Sequence, residues 1–359
     1  MKAVIARSGE LHLTEIPTPT PGVGQVLVRS LTTAICGTDL HALNAGGRRE
    51  ELARSAGLNV TMRAGQDVVF GHEFCAEILD YGPDTVRRFR PGTRVISMPY
   101  AKGPQGFELV GYSNRFPGGF GQQMVLTENL LIEVPDTVPS QVACMTEPLA
   151  VGVHAVNKAE VGSNDVCMVI GCGPVGLAVI AALKAGGIGP IIASDLSPVR
   201  REAAFRYGAD AVVDPSVSSP HLLWESYGVS MKRKDPTLFD AGMPKRKRAL
   251  IFECVGVPGM LLSVIEQCPP YTRIIVVGVC QESDRIEPWT AIQKQLEFRF
   301  VFCYSRDEFA ATFDAIVGGR LDAQGLLSRS VGLSGVAEAF DSLRREARDI
   351  KVVVDTTLP

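Results

Sequence analysis

The sequence lacks the features that mark several large classes of protein. Its 36 lysines and arginines are balanced by 39 aspartates and glutamates, so no excess of basic charge indicates nucleic-acid binding. The nine cysteines are scattered without the paired spacing of a disulfide framework. Met1 to Leu13 lack the apolar core of a signal peptide. We therefore expect a cytoplasmic protein with reduced thiols.

Long uncharged segments are also scarce, and internal repeats and low-complexity tracts are missing. One stretch, Val166–Leu183, resembles a membrane span in length but contains three glycines and Pro174. A buried parallel strand, a glycine turn and an apolar helix explain it better, because strands covered on both faces are continuously apolar.

The first third of the chain has the pattern of a small, irregular β domain. Short apolar segments alternate with proline and glycine clusters such as residues 17–22 and 90–92. The segments predicted as strands are Lys2–Ala6, Gln25–Leu31, Phe74–Asp80, Arg94–Ser97 and Gly121–Leu126.

From about residue 160, apolar strands alternate with helices, which predicts an α/β fold with a doubly wound parallel sheet. The predicted strands are Val166–Ile170, Pro190–Ser194, Ala211–Val213, Ala249–Cys254, Arg273–Val277 and Phe298–Cys303. With 359 residues, the chain is long enough for two domains.

The first of these strands runs into a glycine turn, Gly171–Gly176, and then into an apolar helix. Gly171 allows the tight turn, Gly173 lets a pyrophosphate approach the backbone, and Gly176 lets helix and strand pack closely. The phosphates then lie at the helix N-terminus, where free N–H groups favour an anion. The residues predicted at this phosphate site are Gly171, Gly173, Pro174, Val175 and Gly176.

Asp195 follows the second predicted strand of this region. A carboxylate there bonds the ribose hydroxyls of the adenosine and repels a 2′-phosphate, which favours NAD over NADP. Arg200 and Arg201 come soon after and weaken that preference, because an arginine here can accept the phosphate. The alternative for Asp195 is a helix N-cap or turn residue.

Two further motifs supply metal ligands. Cys36 opens the run Cys-Gly-Thr-Asp-Leu-His, and Gly71-His72-Glu73 follows about one strand and loop later. A thiolate, an imidazole and carboxylates, including Glu147, are the ligands that a mononuclear zinc ion takes. A Lewis-acid metal beside a nicotinamide implies hydride chemistry on an alcohol or carbonyl. Taken singly, Cys36 could be a buried hydrophobe and His72 a core histidine.

In this order, the three motifs resemble the zinc-dependent medium-chain alcohol and polyol dehydrogenases over nearly the whole chain. Residues 146–155, Thr-Glu-Pro-Leu-Ala-Val-Gly-Val-His-Ala, are similar to the sorbitol and butanediol dehydrogenase branch. In that branch the glutamate takes the place of a cysteine ligand. The resemblance therefore implies Cys36, His72 and Glu147 as ligands, with Glu73 as an exchanging or neighbouring carboxylate.

Two assignments in the implied metal site have alternatives. Cys144 is a rival for the third ligand, because thiolate suits zinc well. Asp39 either orients His72 through its second ring nitrogen or forms a plain Asx-turn.

The resemblance also implies the domain plan and the partners. Residues 1–155 and 304–359 would form a chaperonin-10-like catalytic domain, and residues 156–303 an inserted Rossmann domain that binds NAD. Val255, Gly278 and Val279 would lie beside the cofactor. The partners implied are a small alcohol or carbonyl substrate and further copies of the chain in a homodimer or homotetramer, without nucleic acid or membrane.

The implied mechanism needs a route for a proton. Zinc lowers the pKa of the substrate hydroxyl, and a hydride passes to the nicotinamide. Thr38 would take the proton and His41 would pass it to solvent through the cofactor ribose, with Glu73 as a further catalytic residue. The alternatives are a turn hydroxyl for Thr38 and a surface histidine for His41.

The sequence departs from the family in several places. Met98–Gly118 lacks the four cysteines that bind a structural zinc in many relatives, so we expect one zinc. The connection Ala42–Val69 is long, contains a predicted short helix at its arginine-rich part, and is expected to overhang the substrate entrance. Met231–Arg248 is rich in lysine and arginine and is predicted to be a solvated surface loop rather than a phosphate or nucleic-acid patch.

Two rival functions stay open on the sequence alone. The first is a zinc-free quinone or enone reductase of the same superfamily, which would not need Cys36, His72 and Glu147 together. The second is a protein that binds NAD without catalysis.

Overall fold

A computed structural model describes residues 1–45, 47–232, 247–345 and 348–359. The chain divides into two units, each described by itself. Unit 1 comprises Met1–Glu147 and Phe309–Pro359, and unit 2 comprises Pro148–Glu308. Most of the basic segment Met231–Arg248, from residue 233 to 246, lies outside the described residues.

The strands, in chain order, are β1 (Lys2–Arg7), β2 (Glu10–Glu15), β3 (Gln25–Ala34), β4 (Glu73–Tyr81), β5 (Arg94–Ser97), β6 (Tyr100–Gly103), β7 (Gly106–Leu109), β8 (Gln123–Thr127), β9 (Leu131–Glu133), β10 (Asp165–Ile170), β11 (Ile191–Ser194), β12 (Ala211–Val213), β13 (Arg248–Glu253), β14 (Arg273–Val276), β15 (Glu297–Phe300), β16 (Leu327–Val331) and β17 (Lys351–Asp355). The α-helices are α1 (Gly37–Asn44), α2 (Arg48–Ser55), α3 (Ser140–Ala143), α4 (Thr146–Ala159), α5 (Pro174–Ala185), α6 (Pro198–Arg206), α7 (Met260–Gln267), α8 (Pro288–Lys294), α9 (Arg306–Val317) and α10 (Val336–Arg345). Short 3₁₀ turns lie at Glu128–Leu130, Pro220–Leu223, Glu225–Tyr227, Gln324–Leu326 and Leu333–Gly335.

Unit 1 is built around one mixed sheet. In the described residues its strand order is β16-β17-β3-β4-β5-β9, and β8 also pairs with β3. The β3 strand runs antiparallel to β4, β8 and β17, while β16 and β17 are parallel. The pairs β1–β2 and β6–β7 form separate two-stranded sheets. The chain thus returns at its end to place β17 beside β3.

The predicted strands of this unit are confirmed as β1, β3, β4, β5 and β8. Their apolar residues fill two hydrophobic clusters, one around Val28, Phe74 and Ile78 and the other around Phe120 and Phe340. Apart from β17, whose three valines are fully buried, the strands that the sequence did not indicate are short or polar; β2, for example, is largely exposed. Because such strands bury little apolar surface, they carry no hydrophobic periodicity.

Unit 2 contains a parallel sheet with the order β12-β11-β10-β13-β14-β15 among the described residues. All six predicted strands are confirmed within a few residues. The strand order reverses between β10 and β13, so the carboxyl ends of these two strands border the topological switch point of the sheet. The α/β fold class predicted from the sequence is therefore confirmed.

The apolar stretch Val166–Leu183 forms strand β10, a turn and most of helix α5, as predicted. Every residue of β10 is buried, in agreement with a strand covered on both faces. Among the described residues, no helix is long and apolar enough to cross a membrane.

Candidate functional site

Cys36, His72 and Glu73 come together in unit 1 because of the pairing of two central strands. Cys36 follows the end of β3, and Glu73 begins β4; the register of the antiparallel pair sets Ala34 opposite Glu73. One ligand atom from each of the three residues lies within 4.8 Å of the others. In the part of the chain that the structure describes, this is the one group of at least three such side chains with that spacing. A thiolate, an imidazole and a carboxylate so arranged fit a zinc ion.

Asp39 fixes the geometry of this group. Its Oδ2 accepts a hydrogen bond from the backbone N–H of Cys36 at 3.0 Å. Its Oδ1 lies 3.3 Å from His72 Nδ1, but these two atoms are not aligned for a hydrogen bond. Because Nδ1 is the ring nitrogen that faces Asp39, Nε2 of the imidazole is left for a ligand. Burial alone would lower the pKa of His72, but the negative charge of Asp39 holds it well above its usual value. A metal must therefore displace a proton from His72.

Tyr112 links Thr38 to this network. The Thr38 hydroxyl donates to Cys36 Sγ at 3.1 Å, and the Tyr112 hydroxyl lies 2.9 Å from Thr38 Oγ1 and 2.7 Å from Asp39 Oδ1. The centroids of the Tyr112 and His72 rings are 5.2 Å apart. Burial, with the charge of Asp39, raises the pKa of Tyr112 well above its usual value, so the phenol stays a neutral donor.

Glu73 is engaged by a lysine from the last strand. Lys351 Nζ on β17 donates to Glu73 Oε1 at 2.7 Å and lies equally close to Oε2; it also donates to the carbonyl of Ile35 at 3.0 Å. The side chains of Lys351 and Glu73 are 2% and 1% exposed. Burial alone would lower the pKa of Lys351, but the charges of Glu73 and Cys36 raise it, so the lysine is cationic. A metal ion and Lys351 thus compete for the same carboxylate.

Glu147 and Cys144, the other two residues considered as metal ligands, lie near the group but are not members of it. Glu147 is in the first turn of α4, mostly buried, and its charge helps to raise the pKa of Lys351. Cys144 is fully buried, and burial raises the pKa of its thiol far above the usual range. His41 is exposed in the last turn of α1.

The glycine turn of unit 2 has the geometry that a dinucleotide needs. Gly171 has φ +88°, a conformation that side chains disfavour, and a Cβ on Gly176 would lie 1.8 Å from the Gly171 carbonyl oxygen. A Cβ on Gly173 would meet no atom within 4 Å, so the space beside it is open. Pro174 and Val175 begin helix α5, which leaves its N-terminus facing the turn.

Asp195 is tied to this turn by its backbone contacts. Its Oδ2 accepts from the N–H of Cys172 at 2.8 Å and its Oδ1 from the N–H of Ser197 at 2.7 Å. Each oxygen keeps a lone pair for a ribose hydroxyl. The guanidinium of Arg201 donates a hydrogen bond to the carbonyl of Asp195 and forms an ion pair with the carboxylate of Asp214, each at 2.9 Å. Arg200, by contrast, has a buried Nε without a hydrogen-bond partner in the part of the chain that the structure describes.

Val255, Gly278 and Val279 follow the carboxyl ends of β13 and β14. A Cβ on Gly171 would lie 2.7 Å from Val255 Cγ2, so Val255 packs against the glycine turn. A Cβ on Gly278 would lie 2.3 Å from the backbone nitrogen of Gly256, so these two loops approach closely. The predicted cofactor residues are therefore gathered at one edge of the sheet of unit 2.

Sequence reasoning missed Tyr112 and Lys351. Nothing in the local pattern distinguishes Tyr112, which lies in the segment noted only for its lack of cysteine. Lys351 does leave a signal, because it begins the buried strand Lys-Val-Val-Val-Asp, and a cation in a buried strand needs a partner of opposite charge.

Comparisons with known proteins cover both units. A family model described as "Alcohol dehydrogenase GroES-like domain" matches residues 22–136, and one described as "Zinc-binding dehydrogenase" matches residues 174–318. The (R,R)-butanediol dehydrogenase of Bacillus subtilis (strain 168) is 29% identical over 355 residues, which is 96% of each chain. An L-threonine 3-dehydrogenase of Mesorhizobium japonicum is 26% identical over 370 residues, 99% of this chain and 98% of the relative. The crystal structure of 2R,3R-butanediol dehydrogenase from Bacillus subtilis has a TM-score of 0.78 at 25% identity and covers 99% of both chains.

Proposed function

Because the chain belongs to the zinc-dependent medium-chain dehydrogenases of the sorbitol and butanediol type, we propose that it transfers a hydride between a small alcohol or polyol and NAD at one zinc ion. The chaperonin-10-like and Rossmann folds predicted from the sequence are those of this family. The observation that carries the proposal is the group Cys36, His72 and Glu73, whose ligand atoms all lie within 4.8 Å of one another. A zinc-free reductase has no use for such a group.

Cys36 and His72 are the first two ligands in this proposal. A zinc ion held there supplies Lewis acidity, which lowers the pKa of a substrate hydroxyl and polarises a carbonyl. The third ligand is Glu147 or Glu73. The Lys351 contact supports Glu147, because a carboxylate held by a buried lysine at 2.7 Å is a weaker ligand.

Thr38 and His41 are proposed to carry the proton. The support for Thr38 is its place beside the ligand sulfur, with Tyr112 as a second partner for its hydroxyl. Because the Thr38 hydroxyl has a single proton, it can donate to Cys36 Sγ or to Tyr112, but not to both at once. The exposed position of His41 suits the last step, the release of the proton to water.

The turn Gly171–Gly176 and Asp195 are proposed to bind the dinucleotide, with Val255, Gly278 and Val279 lining the rest of the site. The backbone contacts that fix Asp195 beside the turn support a preference for NAD. Arg200 is the residue that weakens this preference, since its Nε has no hydrogen-bond partner among the described residues, whereas Arg201 forms an ion pair with Asp214.

Unit 1 is proposed as the catalytic domain and unit 2 as the cofactor domain of a homodimer or homotetramer. The edge strand β15 supports self-association, because Phe300 and the neighbouring Phe302 are 73% and 76% exposed. A cytoplasmic location is supported by the nine cysteines, none of which forms a disulfide within the described residues. Sedimentation analysis of the wild type and of Phe300→Ser tests the assembly.

Metal analysis together with a screen for NAD reduction tests the function. We expect about one zinc per chain and turnover of some of the primary alcohols, vicinal diols, hydroxy amino acids and sugar alcohols in the screen. Cys36→Ser and His72→Ala should lose both metal and turnover yet keep the far-ultraviolet circular dichroism of the wild type. Turnover of quinones or enones without any metal would favour the zinc-free reductase instead.

A further inference from the structure

Helix α2, in the long connection between the two metal motifs, carries three arginines with different surroundings. Arg48 pairs with Glu51 at 2.9 Å, and Arg54 pairs with Glu50, both within the helix. Within the described ranges, no carboxylate forms an ion pair with Arg49. An arginine without a counter-ion has its charge available for a ligand.

Arg49 is instead stacked on the aromatic ring that borders the metal group. Its Cζ lies over the Tyr112 ring, 4.1 Å from the centroid. The centroid of the same ring is 5.2 Å from that of the His72 ring, and the Tyr112 hydroxyl donates to Asp39 Oδ1 and lies 2.9 Å from Thr38 Oγ1. Tyr112 is buried while Arg49 is half-exposed, so the guanidinium lies at the solvent side of the ring.

The stacked arrangement prepares the guanidinium for an anion. Within the described ranges the Arg49 side chain forms no hydrogen bond, so its five N–H donors are available for bidentate hydrogen bonds to an anion while the aromatic ring holds the group. The stack also restricts the rotamers of a long side chain, which reduces the entropy lost on binding.

We propose that Arg49 selects substrates that carry an anionic group, a carboxylate or a phosphate, a few bonds away from the hydroxyl or carbonyl group that reacts. The inference rests on the proposed function, because it takes the group Cys36, His72 and Glu73 as the reacting end of the site. A neutral diol leaves the guanidinium without a partner, whereas an anion gains charge-assisted hydrogen bonds. Arg49 is thus a specificity-determining residue rather than a catalytic one.

Matched substrate pairs test this selection. The carboxylate pair is 3-hydroxybutyrate against 1,3-butanediol, and the phosphate pair is glycerol 3-phosphate against glycerol. The wild type should prefer the anionic member of one pair. Arg49→Met should lower kcat/KM for that anion about 10- to 100-fold, mainly through KM, and change the neutral member less than about threefold. Arg49→Lys, which keeps the charge, should recover part of the loss.

Arg54→Met is the matched control, because it removes the same charge from the same helix but at an arginine that already has a partner. It should leave both members of each pair unchanged. The pair that responds to Arg49→Met identifies the anion as carboxylate or phosphate. Equal losses for anionic and neutral members, or a higher KM for NAD with an unchanged preference, would overturn the inference.

Binding without turnover separates this inference from the proposed function. Calorimetry of the zinc-loaded protein with butyrate and with propyl phosphate, against butanamide and propanol, should show anion binding that Arg49→Met weakens at least tenfold. If Arg49 controls anion binding but no alcohol is oxidised, the anion site stands and the proposed function is wrong. If alcohols are oxidised and Arg49→Met leaves anion binding unchanged, the proposed function stands and the inference is wrong.

Discussion

The buried pair Lys351–Glu73 gives the sharpest test of the site, through the substitution Lys351→Met. Methionine keeps the length of the side chain but removes its charge, which leaves the carboxylate of Glu73 unpaired in the interior. The carbonyl of Ile35 loses its hydrogen bond at the same time. Among the described residues, Lys351 is the one cation that forms an ion pair with Glu73, so the substitution should be strongly destabilising.

The expected loss of stability follows from the 2.7 Å separation of Lys351 Nζ from the carboxylate oxygens of Glu73. At an effective dielectric constant of about 20, the attraction is about 6 kcal/mol, and desolvation of the two groups offsets part of it. We therefore expect Lys351→Met to lower the stability of unit 1 by about 3–5 kcal/mol. The double variant Glu73→Gln/Lys351→Met, with neither charge, should lose only about 1–2 kcal/mol.

The assay must report on unit 1 alone. Trp224 and Trp289, the two tryptophans of the chain, both lie in unit 2, so tryptophan fluorescence does not follow unit 1. Native-state hydrogen exchange of peptides from β4 and β17 measures the opening free energy of unit 1, and peptides from β10 provide the internal control.

Zinc supplies a second measurement on the same variants. Because Lys351→Met frees Glu73 for the metal, added zinc should protect β4 in this variant more than in the wild type. A loss below about 1 kcal/mol, or a double variant as unstable as Lys351→Met alone, would contradict the assigned pairing.

Three further predictions concern the cofactor, the proton route and pH. The kcat/KM of the wild type should be at least about tenfold higher with NAD than with NADP, and Asp195→Ala should reduce or invert that ratio. Equal use of both cofactors by the wild type would contradict the role assigned to Asp195. His41→Gln should slow turnover most below about pH 7, with unchanged zinc content, whereas a pH–rate profile that tracks the wild type would make His41 an ordinary surface histidine. Burial, with the nearby charge of Lys294, lowers the pKa of His221 to about 4. The indole N–H of Trp224 donates to Nδ1 of His221 at 3.1 Å, and Nδ1 can accept this bond only in the neutral imidazole. His221 of the unfolded chain binds a proton below about pH 6.5, whereas the folded chain does not until about pH 4. The free energy of unfolding of unit 2 should therefore fall by up to about 3 kcal/mol between pH 6.5 and 4. Urea titrations followed by tryptophan fluorescence measure this loss, which His221→Gln should reduce.

The sequence predicts the sheet of unit 2 and its glycine turn well, for a physical reason. Buried parallel strands such as β10 must be apolar throughout, and Gly171 and Gly176 are required by a left-handed φ and a close approach. These constraints act on single residues, so they are visible without a structure.

The contacts of the metal group are harder to predict. Tyr112 meets Thr38 and Asp39 only through the path of a polar connection that has no periodicity. Whether Glu73 or Glu147 completes the ligand set depends on the position of Lys351, which lies far away in the sequence. Single-sequence patterns record which face of an element is buried, but not which distant side chain it meets.

The return of the chain to β17 has a consequence for the order of assembly during synthesis. Unit 2 precedes residues 309–359 in the chain and emerges from the ribosome before β16 and β17, so it can fold while unit 1 still lacks these two strands. Until β17 pairs with β3, the carboxylate of Glu73 has no lysine beside it. The strand edge of β3 is also unprotected on that side during this interval, so a nascent chain is open to mispairing there. The contacts around Glu73 are therefore completed late in synthesis, although Cys36 and His72, the proposed metal ligands, are made early.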